Sequence, residues 1–270
     1  MPTRRVPTAL GTVAVAVAGG GPPLVLLHSN PGDHRDYDAV VPALSQRCTT
    51  YGVDWPGYGG SVPAEGEPSA MAYAAILPEI LDGLGLDRAA VLGNSVGGYA
   101  AARFAISHPE RVTALVLVNA GGFTALNPAT RAFIRLMGRP SSMRLLAGRL
   151  PRLYLRRRTP EVRRIIARDA ARRRDPRANE VAAALWRSFA APEHDLRSLA
   201  GAITAPTLLV WGNRDPMVGL DARAVRRAIP GAVWRPMPTG HAPFAEDPVR
   251  FLGAVMPFLD ERVVAAAPAG

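Results

Sequence analysis

The 270-residue chain is 48% hydrophobic with a formal charge of +10, which provides for one large core and a strongly basic surface. Its single cysteine, Cys48, excludes an intrachain disulfide and is expected to be a buried, inert thiol; no Cys/His group has metal-ligand spacing, so neither a metal site nor a cofactor is expected. No stretch is long and apolar enough to span a bilayer.

In chain order, Arg4-Arg5 and the Ala/Val-rich run behind it have the outline of an export signal, but Thr12 to Ala18 alternates in size as a strand does. Gly19-Gly20-Gly21 is read as the turn of an opening hairpin into the strand Leu24 to Leu27, and the expected compartment is cytoplasmic. No Gly-Lys-Ser/Thr follows the glycines, so they are not a phosphate loop. Helix Asp36 to Arg47, strand Cys48 to Asp54, helix Ser69 to Leu84, strand Ala89 to Asn94, helix Val96 to Ser107 and strand Val112 to Asn119 then alternate. Such alternation predicts an α/β fold with a mostly parallel sheet, helices on both faces and a site at the strands' C-terminal ends. Gly121-Gly122 breaks the rhythm. Residues 123–200 show only helical segments, Pro160 to Arg173 and Ala178 to Ala191 among them, before strand and helix return at Ala205 and end with helix Pro248 to Asp260. The expected organisation is a core of residues 1–122 and 201–270 with a helical cap of residues 123–200 inserted before the acid-bearing strand, as a lid over the site.

Gly93-Asn94-Ser95-Val96-Gly97 sets a serine between two glycines, just after an apolar strand and just before a helix. Glycines at those positions remove the Cβ atoms that would clash in so tight a turn, and the turn lifts the serine Oγ clear of the sheet at a helix N-terminus. In such a sheet the acid and the base follow the nucleophile in that order. Asp215 follows the strand Thr207 to Trp211, and His241 lies in a glycine-flanked loop behind the run Val233 to Met237. Ser95, Asp215 and His241 are therefore the candidate catalytic residues. Asn119, at the end of its strand, cannot serve as an alternative acid.

At these residues the chain resembles the α/β-hydrolase superfamily. His28-Ser29-Asn30-Pro31-Gly32 is similar to the family's oxyanion loop, with Ser29 where most members have glycine, and Asp54-Trp55-Pro56-Gly57-Tyr58-Gly59-Gly60-Ser61 to its Asp-x-Pro-Gly-x-Gly-x-Ser turn. His108-Pro109-Glu110-Arg111-Val112 and Gly240-His241-Ala242-Pro243-Phe244-Ala245-Glu246-Asp247-Pro248 match further blocks. The resemblance implies an oxyanion hole from the backbone N–H groups of Asn30 and Val96. It implies hydrolysis of a carboxylic ester with a small or medium acyl group through an acyl-enzyme, and the serine argues against the dehalogenases and epoxide hydrolases of the fold, which use aspartate. Two alternatives stay open: carbon–carbon bond hydrolysis, suggested by the form Gly93-Asn94-Ser95-Val96-Gly97-Gly98, and a ligand-binding member with little turnover. Ala242 stands where the carbon–carbon hydrolases usually carry tryptophan. His28, Phe123, Trp186 and Phe244 are candidate pocket walls.

Between Arg131 and Arg197 there are 18 arginines and six acids, so the cap holds the whole basic excess. Val162, Ile165, Ile166 and Ala170 form an apolar stripe, with Arg163, Arg164, Arg168 and Arg172 elsewhere around the helix. The excess can be solvated surface, a docking face for an anionic membrane or acidic partner, or an attractor of anionic substrate. Nucleic-acid binding is not expected, for want of a recognition motif. A small-molecule substrate is the expected partner. The oligomeric state is not legible.

Overall fold

The computed structural model describes residues 2–62 and 66–265. Eight strands form one sheet in the order β1-β2-β4-β3-β5-β6-β7-β8: β1 Thr3–Thr8, β2 Gly11–Ala18, β3 Pro23–Leu27, β4 Thr49–Val53, β5 Ala89–Asn94, β6 Val112–Val118, β7 Thr207–Gly212 and β8 Val233–Met237. β2 is antiparallel to both neighbours, and every other pairing is parallel. Pro7 and Pro236 lie in β1 and β8, the two edge strands, where a missing N–H leaves no gap in a ladder.

Period-two alternation sends successive side chains into two cores. Val25 and Leu27 join Val91, Leu115 and Leu117 on one face, while Leu24 and Leu26 join Ala90, Leu92, Val116 and Val118 on the other. Helix Val96–Ser107 covers the first face and helix Pro248–Leu259 the second. Burial on both faces explains why these strands read as unbroken apolar runs.

Three local expectations are corrected. The triple glycine is not a hairpin turn, because β4 lies between β2 and β3; the antiparallel partner of β2 on its outer side is β1, which contains Arg4 and Arg5. At Gly19 a Cβ would strike the carbonyl oxygens of Ser45 and Cys48, so the glycines let this crossover press against the chain entering β4. The helix expected over residues 36–47 is a 3-10 turn, His34–Tyr37, and a four-residue helix, Val41–Leu44, begun by Pro42. The helix expected over residues 69–84 is divided at Ile76, with Pro78 opening its second part, Leu77–Leu84.

Between β6 and β7 the chain forms helices Pro128–Met137, Pro140–Leu146, Leu150–Tyr154, Pro160–Ala171 and Pro176–Ser188. Three of them start in the same way: Asn127, Thr159 and Asp175 accept the N–H three residues on, and proline occupies the first helical position. Val162, Ile165 and Ile166 are buried as the stripe requires, but Ala170 is exposed and Asp169 takes the buried place. Its carboxylate accepts the Gly148 N–H at 2.6 Å and pairs with Arg172. Cys48 is buried, and burial pushes its thiol up to about 11. Among the described residues no helix is long and apolar enough to cross a membrane.

Candidate active site

Ser95 ends the link between β5 and helix Val96–Ser107 with φ 55° and ψ −112°, a strained conformation for a residue with a side chain. A Cβ at Gly93 would collide with the backbone of Gly97, and one at Gly97 with the Leu27 carbonyl, so both positions require glycine. The Ser95 carbonyl accepts the N–H groups of Tyr99 and Gly121, each at 2.9 Å, which fixes the strained peptide from two sides. Buried Asn94 donates through Nδ2 to Val118 O at 2.9 Å and His241 O at 3.0 Å, tying the turn to the histidine loop.

Asp215 and His241 meet as the sequence requires. His241 Nδ1 lies 2.6 Å from Asp215 Oδ2, and both side chains are buried. Asp215 also accepts from Asn119 Nδ2 at 2.6 Å and from the Met217 N–H at 2.8 Å. Burial would raise the Asp215 carboxyl, but the nearby imidazole charge, the His241 hydrogen bond and the Met217 and Asn119 donors outweigh it and hold it below the ordinary carboxylate value. The carboxylate therefore fixes the proton on Nδ1 and leaves Nε2 as the basic nitrogen. Among the described residues no hydrogen bond joins Ser95 Oγ to His241; the two meet as walls of one cavity.

That cavity, of about 510 Å³, also has Asn30 and Val96 in its wall. Among the described residues the backbone N–H of neither has a protein acceptor. The Asn30 side chain is committed elsewhere: its amide donates to Ala182 O at 3.0 Å and its oxygen accepts from Tyr58 OH at 2.6 Å, joining the loop after β3 to helix Pro176–Ser188 and to the turn after β4. The rest of the wall is mainly apolar, with Leu126, Phe133, Ile134, Leu150, Leu153, Leu185, Trp186, Phe189, Met217 and Val218, and among the described residues no arginine lines it.

Of the four candidate wall residues, Trp186 alone lines the cavity. His28 is buried below it, accepting the Trp55 N–H on Nε2 at 3.0 Å with Nδ1 on Ser29 O at 2.7 Å. Phe244 packs on Tyr37 and Phe251, and Phe123 belongs to the core. His194 and Asp195 reach the wall from a loop that offered no sequence signal. Asn119, which cannot be the acid, serves it instead. Its amide holds Asp215 while its oxygen accepts the Gly212 N–H at 2.8 Å, with φ 42° turning the side chain back toward β7.

The family model described as "alpha/beta hydrolase fold" matches residues 22–248. An uncharacterised protein of Mycobacterium tuberculosis is 30% identical over 271 residues, covering 92% of this chain and 78% of its own. The 2-hydroxy-6-oxononadienedioate/2-hydroxy-6-oxononatrienedioate hydrolase of Burkholderia vietnamiensis is 34% identical over 218 residues, 75% of this chain and 74% of its own. Among solved structures, a hydrolase from Pseudomonas aeruginosa superposes with a TM-score of 0.83 at 25% identity, covering 95% of this chain and 98% of the other. With the eight-stranded sheet and the strained serine turn, these matches identify the chain as a member of the α/β-hydrolase family.

Proposed function

We propose that this hydrolase cleaves carboxylic esters of neutral, apolar acyl groups, with Ser95 as nucleophile, His241 as base and Asp215 as the acid that orients it. The observation that carries the reading is the buried Asp215–His241 pair beside the strained Ser95 turn, in one apolar cavity. His241 Nε2 takes the proton of Ser95 Oγ as oxygen attacks the ester carbonyl, while Asp215 stays ionised and stabilises the imidazolium. The alcohol leaves with that proton. Water then gives a proton to Nε2 and its hydroxide oxygen to the acyl carbon, which releases the acid and restores Ser95. The N–H groups of Val96 and Asn30 receive the oxyanion of each tetrahedral intermediate, each contributing roughly 3 kcal/mol. The Ser95–His241 hydrogen bond closes when substrate is bound, as it often does in such sites.

Carbon–carbon hydrolysis is the second reading, favoured by the Burkholderia relative, whose substrate is by name a dioate. Against it stand the apolar wall without arginine and Ala242 beside the histidine. A matched pair of aryl esters, one with an alkyl tail and one with a terminal carboxylate, separates the readings when assayed beside a diketo ring-cleavage product. The neutral ester should have the higher kcat/KM, by tenfold or more, because the mainly apolar wall would desolvate a carboxylate and offers it no arginine. Preferred turnover of the carboxylate ester or of the diketo acid would overturn the ester assignment.

A further inference from the structure

The arginines of the insertion differ in their partners. Arg157, Arg164, Arg168, Arg172, Arg187 and Arg197 each pair with an acid. Residues 123–160, by contrast, hold nine arginines and no acid. Six of these, Arg131, Arg135, Arg139, Arg144, Arg149 and Arg152, are exposed, and among the described residues none of the six enters an ion pair.

Four large apolar side chains in the same stretch of chain are also exposed. Phe133 is 38% exposed, Leu136 50%, and Leu145 and Leu153 60% each, on the three consecutive helices that carry these arginines or adjoin them. A face built for water alone sets polar residues at such positions, whereas arginine beside exposed leucine and phenylalanine is the composition of an interfacial surface. Phe133 and Leu153 also line the cavity that Ser95 lines, so two of these exposed side chains stand at its wall. Attraction of an anionic substrate does not explain these arginines, since none reaches the cavity wall.

We propose that helices Pro128–Met137, Pro140–Leu146 and Leu150–Tyr154 dock this enzyme on a bilayer bearing anionic headgroups. The arginines meet lipid phosphates while Leu136 and Leu145 enter the acyl boundary, and a neutral lipophilic ester passes from the bilayer into the cavity. The delivery step rests on the ester-hydrolase reading; the docking does not.

Co-sedimentation with phosphatidylglycerol/phosphatidylcholine vesicles, and with vesicles of phosphatidylcholine alone, tests this directly. The full-length protein should sediment with the anionic vesicles at 20 mM salt, stay in solution with the neutral ones, and be released at high salt as screening shortens. The triple variant Arg135→Gln, Arg144→Gln, Arg149→Gln should lose about fivefold in affinity per arginine, on the order of 100-fold in all. Its turnover of a water-soluble short-chain aryl ester should stay within about twofold of wild type, which also reports that it folds. Leu136→Ser with Leu145→Ser should weaken vesicle binding severalfold and leave retention on dextran sulfate unchanged. No sedimentation with anionic vesicles, or equal binding by the arginine variant, would overturn the proposal. So would undiminished vesicle binding by the leucine variant, because the surface would then recognise any polyanion, an acidic protein included. Normal docking by a protein that hydrolyses no ester would remove the ester reading and leave the docking in place.

Discussion

Asp215 accepts hydrogen bonds from His241, Asn119 and the Met217 backbone, and each has a separable consequence. Asp215→Asn keeps the shape but lets an amide favour the wrong imidazole tautomer, so kcat should fall by about 10⁴-fold in a correctly folded protein. Asn119→Ala removes one donor from the carboxylate and leaves the buried Gly212 N–H without its acceptor; a hydrogen bond to a charged group is worth about 1.5–3 kcal/mol, so kcat should drop roughly 10- to 100-fold with KM little changed. Steady-state kinetics on one aryl ester, with circular dichroism to check folding, measure both; full activity of Asp215→Asn would mean that another carboxylate orients the imidazole. Ser95, Asp215 and His241 could be picked from sequence because each lies in a turn whose chemistry is local. Asn119 could not, since the residue it holds is 96 positions away. His194 was equally hidden, being brought to the cavity by the packing of its ring on Tyr99 and Phe189.

The insertion is fastened to the core by two polar clasps. In one, buried Glu246 accepts four backbone N–H groups: Gly240 and Ala242 on either side of His241, and Arg156 and Arg157 after helix Leu150–Tyr154. His241 N–H donates in turn to Tyr154 O at 3.1 Å. Glu246→Gln keeps one acceptor oxygen and opposes an N–H with an NH₂, so stability should fall by about 2 kcal/mol and kcat should suffer more than KM. An unchanged urea midpoint would show the clasp to be dispensable. In the other clasp, Arg168 bridges Asp33 and Asp36 in the loop after β3. Burial, and Asp33 beside it, push the Asp36 carboxyl up to about 7 against the pull of Arg168. Between about pH 4 and 7 the folded protein thus keeps a proton that the unfolded chain has lost, and this group lowers stability as pH rises through that window. Asp36→Asn should match wild type near pH 3.5 and be more stable by a few kcal/mol at pH 8. A difference that is flat across thermal melts from pH 3.5 to 8 would contradict this. The helix start at Pro160 is legible in the sequence, while the starts at Pro128 and Pro176 are not read there, and neither clasp is, since both join segments far apart in the chain.

Across the whole molecule, the fold was largely legible because strand burial on both faces produces apolar runs that only a covered parallel sheet accommodates. The error at the triple glycine has a physical cause: a local turn signal cannot reveal that β4, formed later in the chain, comes between β2 and β3. The basic balance was legible as a number, but its division into ion-paired and solvent-facing arginines depends on where acids arrive in space. Loops from the ends of β3, β5, β6, β7 and β8 converge on one cavity, and the account stands on what Ser95 does there. The most direct test is covalent labelling with an organophosphonate, the modified peptide identified by mass spectrometry and aryl-ester turnover followed in parallel. Wild type should be labelled once, at Ser95, as activity is lost, and Ser95→Ala should neither label nor turn over ester above roughly one part in 10⁴. Label on another residue, or labelling and turnover that survive Ser95→Ala, would contradict it.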